Sequence, residues 1–313
     1  MINLDALKVF LAIAEHGNFS EAGRHLHLSQ PAVSQTIQGL ERQLGTQLFI
    51  RQGRTAQLTE TGQMLVSMAR ELLTSAQRLE QTMLSLHGEV IGEMTIGCST
   101  ASGKYLLPGI IARFRQDYPQ VRINVHVSSR DSVIHKLLGG ELCLGVSSKV
   151  IENSELEYQE LFKDDVILIA QAGHPWAQYR QIYPDDLLDE PMILREEVAG
   201  THEVLMEGLL KCDISPDMLN VAMVLGNAEA IEMAVEEGLG VAFVSRLAAA
   251  RGLELGKVVE VSVEGMNLSR NIYLARNRRQ SFTRAQGKFW DFVAATHDEI
   301  YKRHRVTLLT KPA

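Results

Sequence analysis

The sequence predicts an α/β protein in which a small, mostly helical N-terminal domain precedes a larger domain of mixed strands and helices. With 313 residues the chain is too long for one ordinary domain. Apolar residues recur at helical spacing in the first 44 positions. From residue 93 onwards, strand-like and helix-like segments alternate. The predicted strands are at 94–98, 121–127, 142–146, 166–170, 192–194, 221–225, 241–244, 258–263 and 272–275, and the predicted helices are at about 103–117, 201–211, 227–237 and 282–303. This alternation predicts a largely parallel sheet with helices packed on it.

The composition excludes several classes of protein. Hydrophobic residues make up 45% of the chain and charged residues 22%, as in globular proteins. No apolar run approaches the ~18 residues that span a bilayer, and the N-terminus lacks the features of a signal peptide. We therefore expect a cytoplasmic protein without a membrane partner. Cys98, Cys143 and Cys212 are scattered, so we expect neither a disulfide framework nor a metal site or cofactor.

The charge is unevenly distributed along the chain. Residues 1–58 contain five Lys and Arg against four Asp and Glu, a net charge of +1, and the whole chain carries −7. The remainder therefore carries −8. Because the acidic surplus lies outside the N-terminal segment, contact with nucleic acid remains permissible there, although a charge of +1 does not establish it.

Three helices are predicted in the N-terminal segment, at about 4–14, 20–26 and 29–44, each with an apolar face. Ser29 is a natural N-cap for the third, and Pro31 falls in its first turn, where a missing N–H is tolerated. Two short helices joined by a tight turn match a helix-turn-helix.

The polar face of the third helix carries Gln30, Ser34, Gln35 and Gln38. Such side chains donate and accept hydrogen bonds without fixed charge, which suits base edges in a major groove. An ordinary solvated helix face is the alternative.

After the third helix, residues 48–51 and 56–58 flank a glycine-containing turn. This pattern predicts a two-stranded wing, whose Arg51 and Arg54 could hold phosphates.

The N-terminal segment also carries a long, ordered set of residue types. The set comprises Phe19-Ser20-Glu21-Ala22-Gly23, Leu26 to Ser34, Leu40-Glu41, Leu44-Gly45, Leu48-Phe49, Arg51, Leu58-Thr59 and Gly62. It resembles the signature of the LysR family of transcriptional regulators over about 45 ordered positions, far more than a lone short motif. The resemblance implies a sequence-specific regulator that binds double-stranded DNA, is not an enzyme, assembles as a homodimer or homotetramer and responds to a small-molecule effector.

After the wing in the sequence, a heptad-like repeat predicts one long helix. Leu65, Leu72, Leu79 and Leu86 recur every seven residues. This row of leucines could pack against the N-terminal domain of the same chain. The continuous length without turn residues, together with the family resemblance, favours a dimerisation helix.

The resemblance also implies the domain organisation. The winged helix-turn-helix domain, of all-α type, spans 1–58, the linker helix 59–91 and the effector-binding domain 92–304, with a tail at 305–313. The effector-binding domain would consist of two Rossmann-like α/β subdomains, as in a periplasmic binding protein. The first comprises 92–163 and 269–304 and the second 164–268, with a cleft between them.

Ligands of such sheets bind beyond the carboxyl ends of the strands, at the N-termini of helices. Three strand-to-helix turns offer uncharged donors there, and one adds a cation. The candidate effector-binding residues are Ser99, Thr100, Ser102, Arg195, Thr201 and Asn227. Each polar residue could instead be an ordinary N-cap. These donors together with the helix dipoles suit a small anion. Residues 193–196, 200–201, 225–231 and 238–240 resemble most the subgroup that governs assimilation of sulfur, carbon and nitrogen compounds. The resemblance implies an oxyanion or a phosphorylated metabolite as effector.

Three other functions are alternatives to this one. An enzyme is disfavoured because no hydrolase, zinc-protease or P-loop motif occurs. A free-standing solute-binding protein is disfavoured by the 90 N-terminal residues and the lack of a signal peptide. A thiol switch is suggested by Cys212, which lies in the region where peroxide-sensing relatives keep reactive cysteines, but no second cysteine accompanies it.

Overall fold

The computed structural model describes residues 2–52, 55–85, 89–99 and 101–309, with the side chains of 51–52, 81–82, 84–85 and 297–309 left undescribed. The chain divides into two compact units. One comprises Met1–Ile91 together with Leu138–Glu141 and Phe282–Arg284, and the other comprises the rest of the chain from Gly92.

The N-terminal unit begins with three helices, α1 (Leu4–His16), α2 (Phe19–His25) and α3 (Gln30–Leu44). Their ends follow from local chemistry. The Ser29 hydroxyl caps α3 by accepting from the N–H of Ala32, and Gly45 ends it with a φ of 69°. The apolar faces meet in one core, whose fully buried members include Phe10, Ile13, Ala22, Val33 and Ile37.

The wing consists of β1 (Phe49–Gln52) and β2 (Thr55–Leu58), which pair antiparallel. The Glu41 carboxylate accepts hydrogen bonds from the backbone N–H groups of Leu48 (2.8 Å) and Phe49 (3.4 Å). The wing is therefore tied to the last turns of α3.

The long helix α4 (Glu60–Ser85) follows directly. Its early turns pack on the N-terminal core, with Ala69 1% exposed and Leu65 partly buried. Later in the same heptad register, Leu72 and Leu79 are 44% and 66% exposed. The predicted row of leucines is thus covered at its start and uncovered further along, while Leu86 lies outside the described residues.

The second unit contains ten strands and seven helices among its described residues, besides short π- and 3₁₀-helical turns. The strands are β3 (Gly92–Cys98), β4 (Val121–Val127), β5 (Leu144–Ser147), β6 (Leu156–Gln171), β7 (Gln181–Ile182), β8 (Met192–Arg195), β9 (Val221–Leu225), β10 (Ala242–Ser245), β11 (Val258–Val263) and β12 (Leu268–Asn277). The helices are α5 (Leu107–Asp117), α6 (Arg130–Leu138), α7 (Trp176–Tyr179), α8 (Gly200–Lys211), α9 (Ala228–Glu236), α10 (Arg246–Glu254) and α11 (Arg284–Leu309).

The sheet is mixed, which corrects the expectation of a largely parallel one. Its order is β4-β3-β5-β12-β6-β11-β7, with β10 also paired to β6 and a separate β8-β9 pair. Only β3 with β4 and β5, β8 with β9, and β7 with β11 are parallel among the described strands. The two long strands β6 and β12 run antiparallel to each other. Because these two antiparallel strands lie in the middle of the large sheet, the parallel pairs of that sheet lie only towards its two edges.

The long strands extend beyond the stretches that the sequence indicates. Only 166–170 and 272–275 are continuously apolar, whereas β6 begins at Leu156 and β12 at Leu268. Helices α6 and α10 have no counterpart among the predicted elements. At the C-terminus, α11 continues to Leu309, so the start of the predicted tail at 305 is helical; residues 310–313 lie outside the described residues. Within the described chain, no helix has the length and apolarity to cross a bilayer.

Candidate functional sites

The helix-turn-helix presents an exposed polar surface along α3. The turn before it contains His27 in a left-handed conformation (φ 56°) and is closed by a 2.8 Å hydrogen bond from the N–H of Leu28 to the carbonyl of Gly23. The predicted DNA-contacting residues Ser29, Gln30, Pro31, Gln35 and Gln38 are exposed, and Ser34 is partly buried. Apolar residues of α3 face the core, so its polar residues face solvent.

The predicted phosphate contacts of the wing can be placed only in part. Arg51 belongs to β1, but its side chain is not described, and Arg54 lies outside the described residues. A cation outside the predicted set, Arg42, is exposed on α3 and donates from Nε to the backbone carbonyl of Gln38 (3.2 Å).

An apolar stripe runs along the exposed side of α4. It consists of Met64, Met68, Leu72, Leu79 and Met83, which are 65%, 63%, 44%, 66% and 53% exposed. We call it the linker stripe. At about 100° per residue these positions occupy one face of the helix. An exposed contiguous apolar face of this kind is typical of a surface that pairs with a partner.

The second unit contains a cavity of about 280 Å³, called here the polar cavity. It lies where several strands end and several helices begin. Its lining residues are Ser99, Ala101, Val127, Ser128, Ser129, Arg130, Ser148, Arg195, Glu196, Val198, Ala199, Gly200, Thr201 and Arg270.

Helix α8 directs its N-terminus at the polar cavity without a side-chain cap. Its N-cap position is Ala199, which has no side-chain acceptor. Thr201, in the first turn, is 5% exposed and lines the cavity, and no hydrogen bond joins its hydroxyl to any described residue. Because the first N–H groups of a helix lack intrahelical acceptors, this end is suited to hold an anion.

Helix α6 also begins at the cavity, with Ser129 and Arg130 in the lining. Here the cap is conventional, since the Ser129 hydroxyl accepts from the N–H of Ser132 at 3.3 Å. The π-helical turn Ser102–Leu106 starts beside Ala101, another lining residue. Three helical segments therefore direct their N-termini towards one cavity.

Three arginines line the cavity, and each contacts a carboxylate. Arg195 donates to both carboxylate oxygens of Glu196 (2.9 and 2.7 Å) and to the carbonyl of Gly226 (3.2 Å). The hydrogen bonds from Arg195 hold the pKa of Glu196 below its ordinary value. Arg130 donates to Glu203 at 3.0 Å.

Glu203 also pairs with Lys149. Hydrogen bonds from Lys149 and then Arg130 lower the pKa of Glu203. A second carboxylate, Glu229 at the start of α9, accepts from the Tyr105 hydroxyl at 2.9 Å and pairs with Lys104. Glu203 and Glu229 both lie in the segment 164–268, whereas the side chains that contact them lie earlier in the sequence, between residues 104 and 149.

The structure brings together some of the predicted effector-binding residues. Ser99, Arg195 and Thr201 line the polar cavity. Ser102 is buried behind Ser99, whose hydroxyl approaches it at 3.4 Å. Asn227 is outside the lining and caps α9, accepting from the N–H of Glu229 at 2.8 Å. Thr100 lies outside the described residues.

Several lining residues escaped prediction from the sequence, namely Ser128, Ser129, Arg130, Ser148 and Arg270. A signal for the serines was present, because Ser128 follows β4 and Ser148 follows β5 just as Ser99 follows β3. No local pattern marks Arg270, which lies within a strand.

A second, slightly larger cavity of about 320 Å³ lies among β6, β10, β11 and β12. Its charged residues include Arg246, whose guanidinium is matched by Glu260 and Asp165. Among the described helices only α10 begins at this cavity, and its N-cap residue Ser245 donates to Asp164 instead of capping the helix. The polar cavity is therefore the stronger candidate for an anion.

All three cysteines are at least partly buried. Burial raises the pKa of Cys98 to about 11, which disfavours the reactive thiolate. Cys212 is partly buried against the apolar core of the second unit. Among the described residues, no group of three or more His, Cys, Asp or Glu side chains could hold a metal ion.

Two family models match this chain. One, described as "Bacterial regulatory helix-turn-helix protein, lysR family", matches residues 4–63. The other, described as "LysR substrate binding domain", matches residues 87–298, more than half of the chain. Together they cover both units.

Relatives and solved structures agree with these matches. A "Probable RuBisCO transcriptional regulator" of Cyanidioschyzon merolae is 34% identical over 289 residues, which cover 91% of this chain and 95% of the relative. Full-length CbnR in complex with its target DNA has the same fold, with a TM-score of 0.69 at 21% identity over 94% of this chain and 100% of CbnR. The regulatory domain of Synechocystis PCC6803 CcmR, in complex with 2-PG, has a TM-score of 0.60 at 23% identity over 66% of this chain and 97% of that domain.

Proposed function

Because this chain belongs to the LysR family of DNA-binding transcriptional regulators, which carry an effector-binding domain, we propose that a small anion in the polar cavity controls its binding to DNA. LysR regulators act on DNA as oligomers, and the family is not one of enzymes. We propose a homodimer or homotetramer assembled through the linker stripe, and a cytoplasmic location, where its DNA lies.

The DNA-binding part of the proposal rests on α3 and the wing. The exposed glutamines Gln30, Gln35 and Gln38 would read base edges in the major groove, and Arg51 and Arg54 would hold phosphates. Dimerisation through the linker stripe would place two α3 helices on one DNA duplex. Their two-fold symmetry would then require half-sites arranged as an imperfect palindrome.

One observation carries the effector proposal. The N-terminus of α8 lacks a side-chain cap, and beside it Thr201 lines the cavity with a hydroxyl that is not hydrogen bonded to any described residue. A hydroxyl and helix N–H groups that lack protein acceptors are available to donate to a bound ligand. An oxyanion supplies several acceptors at once and is favoured by the helix dipole.

The class of effector follows from the same donors and from the relatives. Eight of the fourteen lining residues are serine, threonine or arginine and none is aromatic, which disfavours a large apolar ligand. The relatives are named as RuBisCO regulators, and CcmR is described in complex with 2-PG. We therefore propose an oxyanion or phosphorylated metabolite of carbon assimilation.

Calorimetry with inorganic phosphate, sulfate and 2-PG tests the proposal. Thr201→Val should weaken binding about 5- to 150-fold, since a lost buried donor costs about 1–3 kcal/mol. Thr296→Val is the matched control, because the Thr296 hydroxyl donates to the carbonyl of Phe292 (2.7 Å) on α11, outside the cavity lining. If none of the three anions binds the wild-type protein, or if apolar ligands bind instead, the proposal is wrong.

A further inference from the structure

Arg270 connects the polar cavity to the two long strands at the centre of the second unit. It lies on β12, directly opposite Asp164 on β6. Its Nε and Nη2 donate to the same oxygen, Asp164 Oδ2, at 3.0 and 2.9 Å. The two side chains are only 10% and 3% exposed. The guanidinium is therefore held from one side by a buried ion pair.

The carboxylate that holds Arg270 is itself fixed. Asp164 Oδ1 accepts from the hydroxyl of Ser245 at 2.6 Å, and Ser245 is 1% exposed. Neither Asp164 nor Ser245 lines the polar cavity. The planar guanidinium presents its donors in a rigid fork, so fixing Nε and Nη2 also fixes the direction of Nη1.

The remaining nitrogen, Nη1, lies at the N-terminus of α8. A Cβ at Gly200 would stand 2.8 Å from Arg270 Nη1 and 2.5 Å from Ser148 Oγ, so a larger residue at this position would displace these two groups. Nη1 makes no hydrogen bond to the part of the chain that the structure describes. Arg270, Ser148 and the first N–H groups of α8 therefore converge on one small region of the cavity.

Arg270 differs in this respect from Arg195, the arginine that the sequence suggested. The carboxylate that neutralises Arg195, Glu196, itself lines the cavity and would repel an anion there. The partner of Arg270 lies behind it, away from the cavity. Arg130 also has its carboxylate partner, Glu203, outside the lining, but that pair is 24% and 31% exposed. Arg270 and Asp164 are 10% and 3% exposed, so among the lining arginines Arg270 is the one held by a buried pair.

We propose that Arg270 is the specificity-determining residue of the polar cavity, donating from Nη1 to an oxygen of the effector's anionic group while Asp164 holds its other edge. This inference rests on the proposed effector function. It assigns the charge selection to Arg270, within β12, rather than to Arg195 at the end of β8. A charge-assisted hydrogen bond of this geometry favours an oxyanion over a neutral ligand of the same size.

The test compares phosphate and 2-PG affinities by calorimetry in the full-length protein. Arg270→Met combined with Asp164→Asn removes both buried charges, so no carboxylate is left unpaired, and the amide oxygen introduced at position 164 can still accept from Ser245. We expect about a tenfold or greater loss of affinity. Arg270→Lys keeps the positive charge, but its single ammonium group must bind both Asp164 and the ligand. The loss of anion affinity in this variant should therefore be smaller than in the double variant.

Arg276→Met is the matched control, since Arg276 lies on the same strand, pairs with Glu157 at 2.6 Å and is absent from the cavity lining. Its affinity should stay within about twofold of the wild-type value. If the wild-type protein binds the anions and the Arg270 variants bind them equally well, the assignment to Arg270 is wrong while the proposed function stands. If the wild-type protein binds neither anion, both are overturned.

Discussion

Replacing Gly62 with alanine should destabilise the N-terminal unit, because the first turn of α4 packs directly against the backbone before the wing. A Cβ at this position would overlap the carbonyl oxygen of Leu48, with the carbonyl carbon at 3.2 Å and Leu58 Cδ2 at 3.0 Å. The Gly62 backbone is also held in place, since its N–H donates to the Thr59 hydroxyl at 3.0 Å. The helix or the strand would have to shift.

The expected magnitude is the difference between two opposing effects. Forcing an extra carbon into a packed contact costs about 1–3 kcal/mol, and the upper part of that range, about 2–3 kcal/mol, applies here because the clash is with backbone. Alanine in place of glycine within a helix regains about 1 kcal/mol. The net loss is then about 1–2 kcal/mol, which lowers the melting temperature of a unit of this size by about 4–16 °C.

Thermal and urea unfolding, followed on the transition of the N-terminal unit, measure this loss. Gly39→Ala is the matched control, because Gly39 lies within α3 and a Cβ there meets nothing within 4 Å. That variant should gain up to about 1 kcal/mol from helix propensity alone. If Gly62→Ala unfolds at or above the wild-type temperature, the close approach of α4 to Leu48 is not a constraint on stability and the reasoning fails.

Three further predictions concern DNA, assembly and pH. Gln35→Ala should relax sequence preference by about 1–3 kcal/mol in binding titrations against operator variants if Gln35 reads a base; unchanged discrimination would remove Gln35 from the reading surface. Replacing both Leu72 and Leu79 with lysine should dissociate the dimer in sedimentation runs, because charges would be buried against a partner; an unchanged mass would contradict the pairing. Burial raises the pKa of Glu232 above its ordinary value of 4.5. Protonated Glu232 therefore contributes its full stability to the fold below pH 4.5, and this contribution is lost as the pH rises through the folded-state pKa. Glu232→Gln should therefore gain stability relative to the wild-type protein on going from about pH 4 to about pH 8, and a pH-independent difference in urea midpoints would refute the shift.

The sequence by itself determined the elements whose signals are local. Ser29 and Gly45 mark the ends of α3 because capping chemistry acts within a few residues. Strands such as Val121–Val127 and Val258–Val263 have the predicted bounds, since each is a short run of strand-forming residues. The family and its DNA-binding and effector-binding parts also followed from ordered local motifs, and the family matches confirm them.

Only the tertiary structure decided which residues meet. The heptad period of α4 is visible in the sequence, but packing on the N-terminal core covers Ala69 and leaves Leu79 exposed. The polar cavity gathers residues from Ser99 to Arg270, and Asn227 is left outside because α9 begins elsewhere. The partner of an arginine depends on strand register, which sets Arg270 opposite an aspartate 106 residues away. Long-range pairing of this kind depends on how the whole chain packs, so no local pattern of residues could have predicted it.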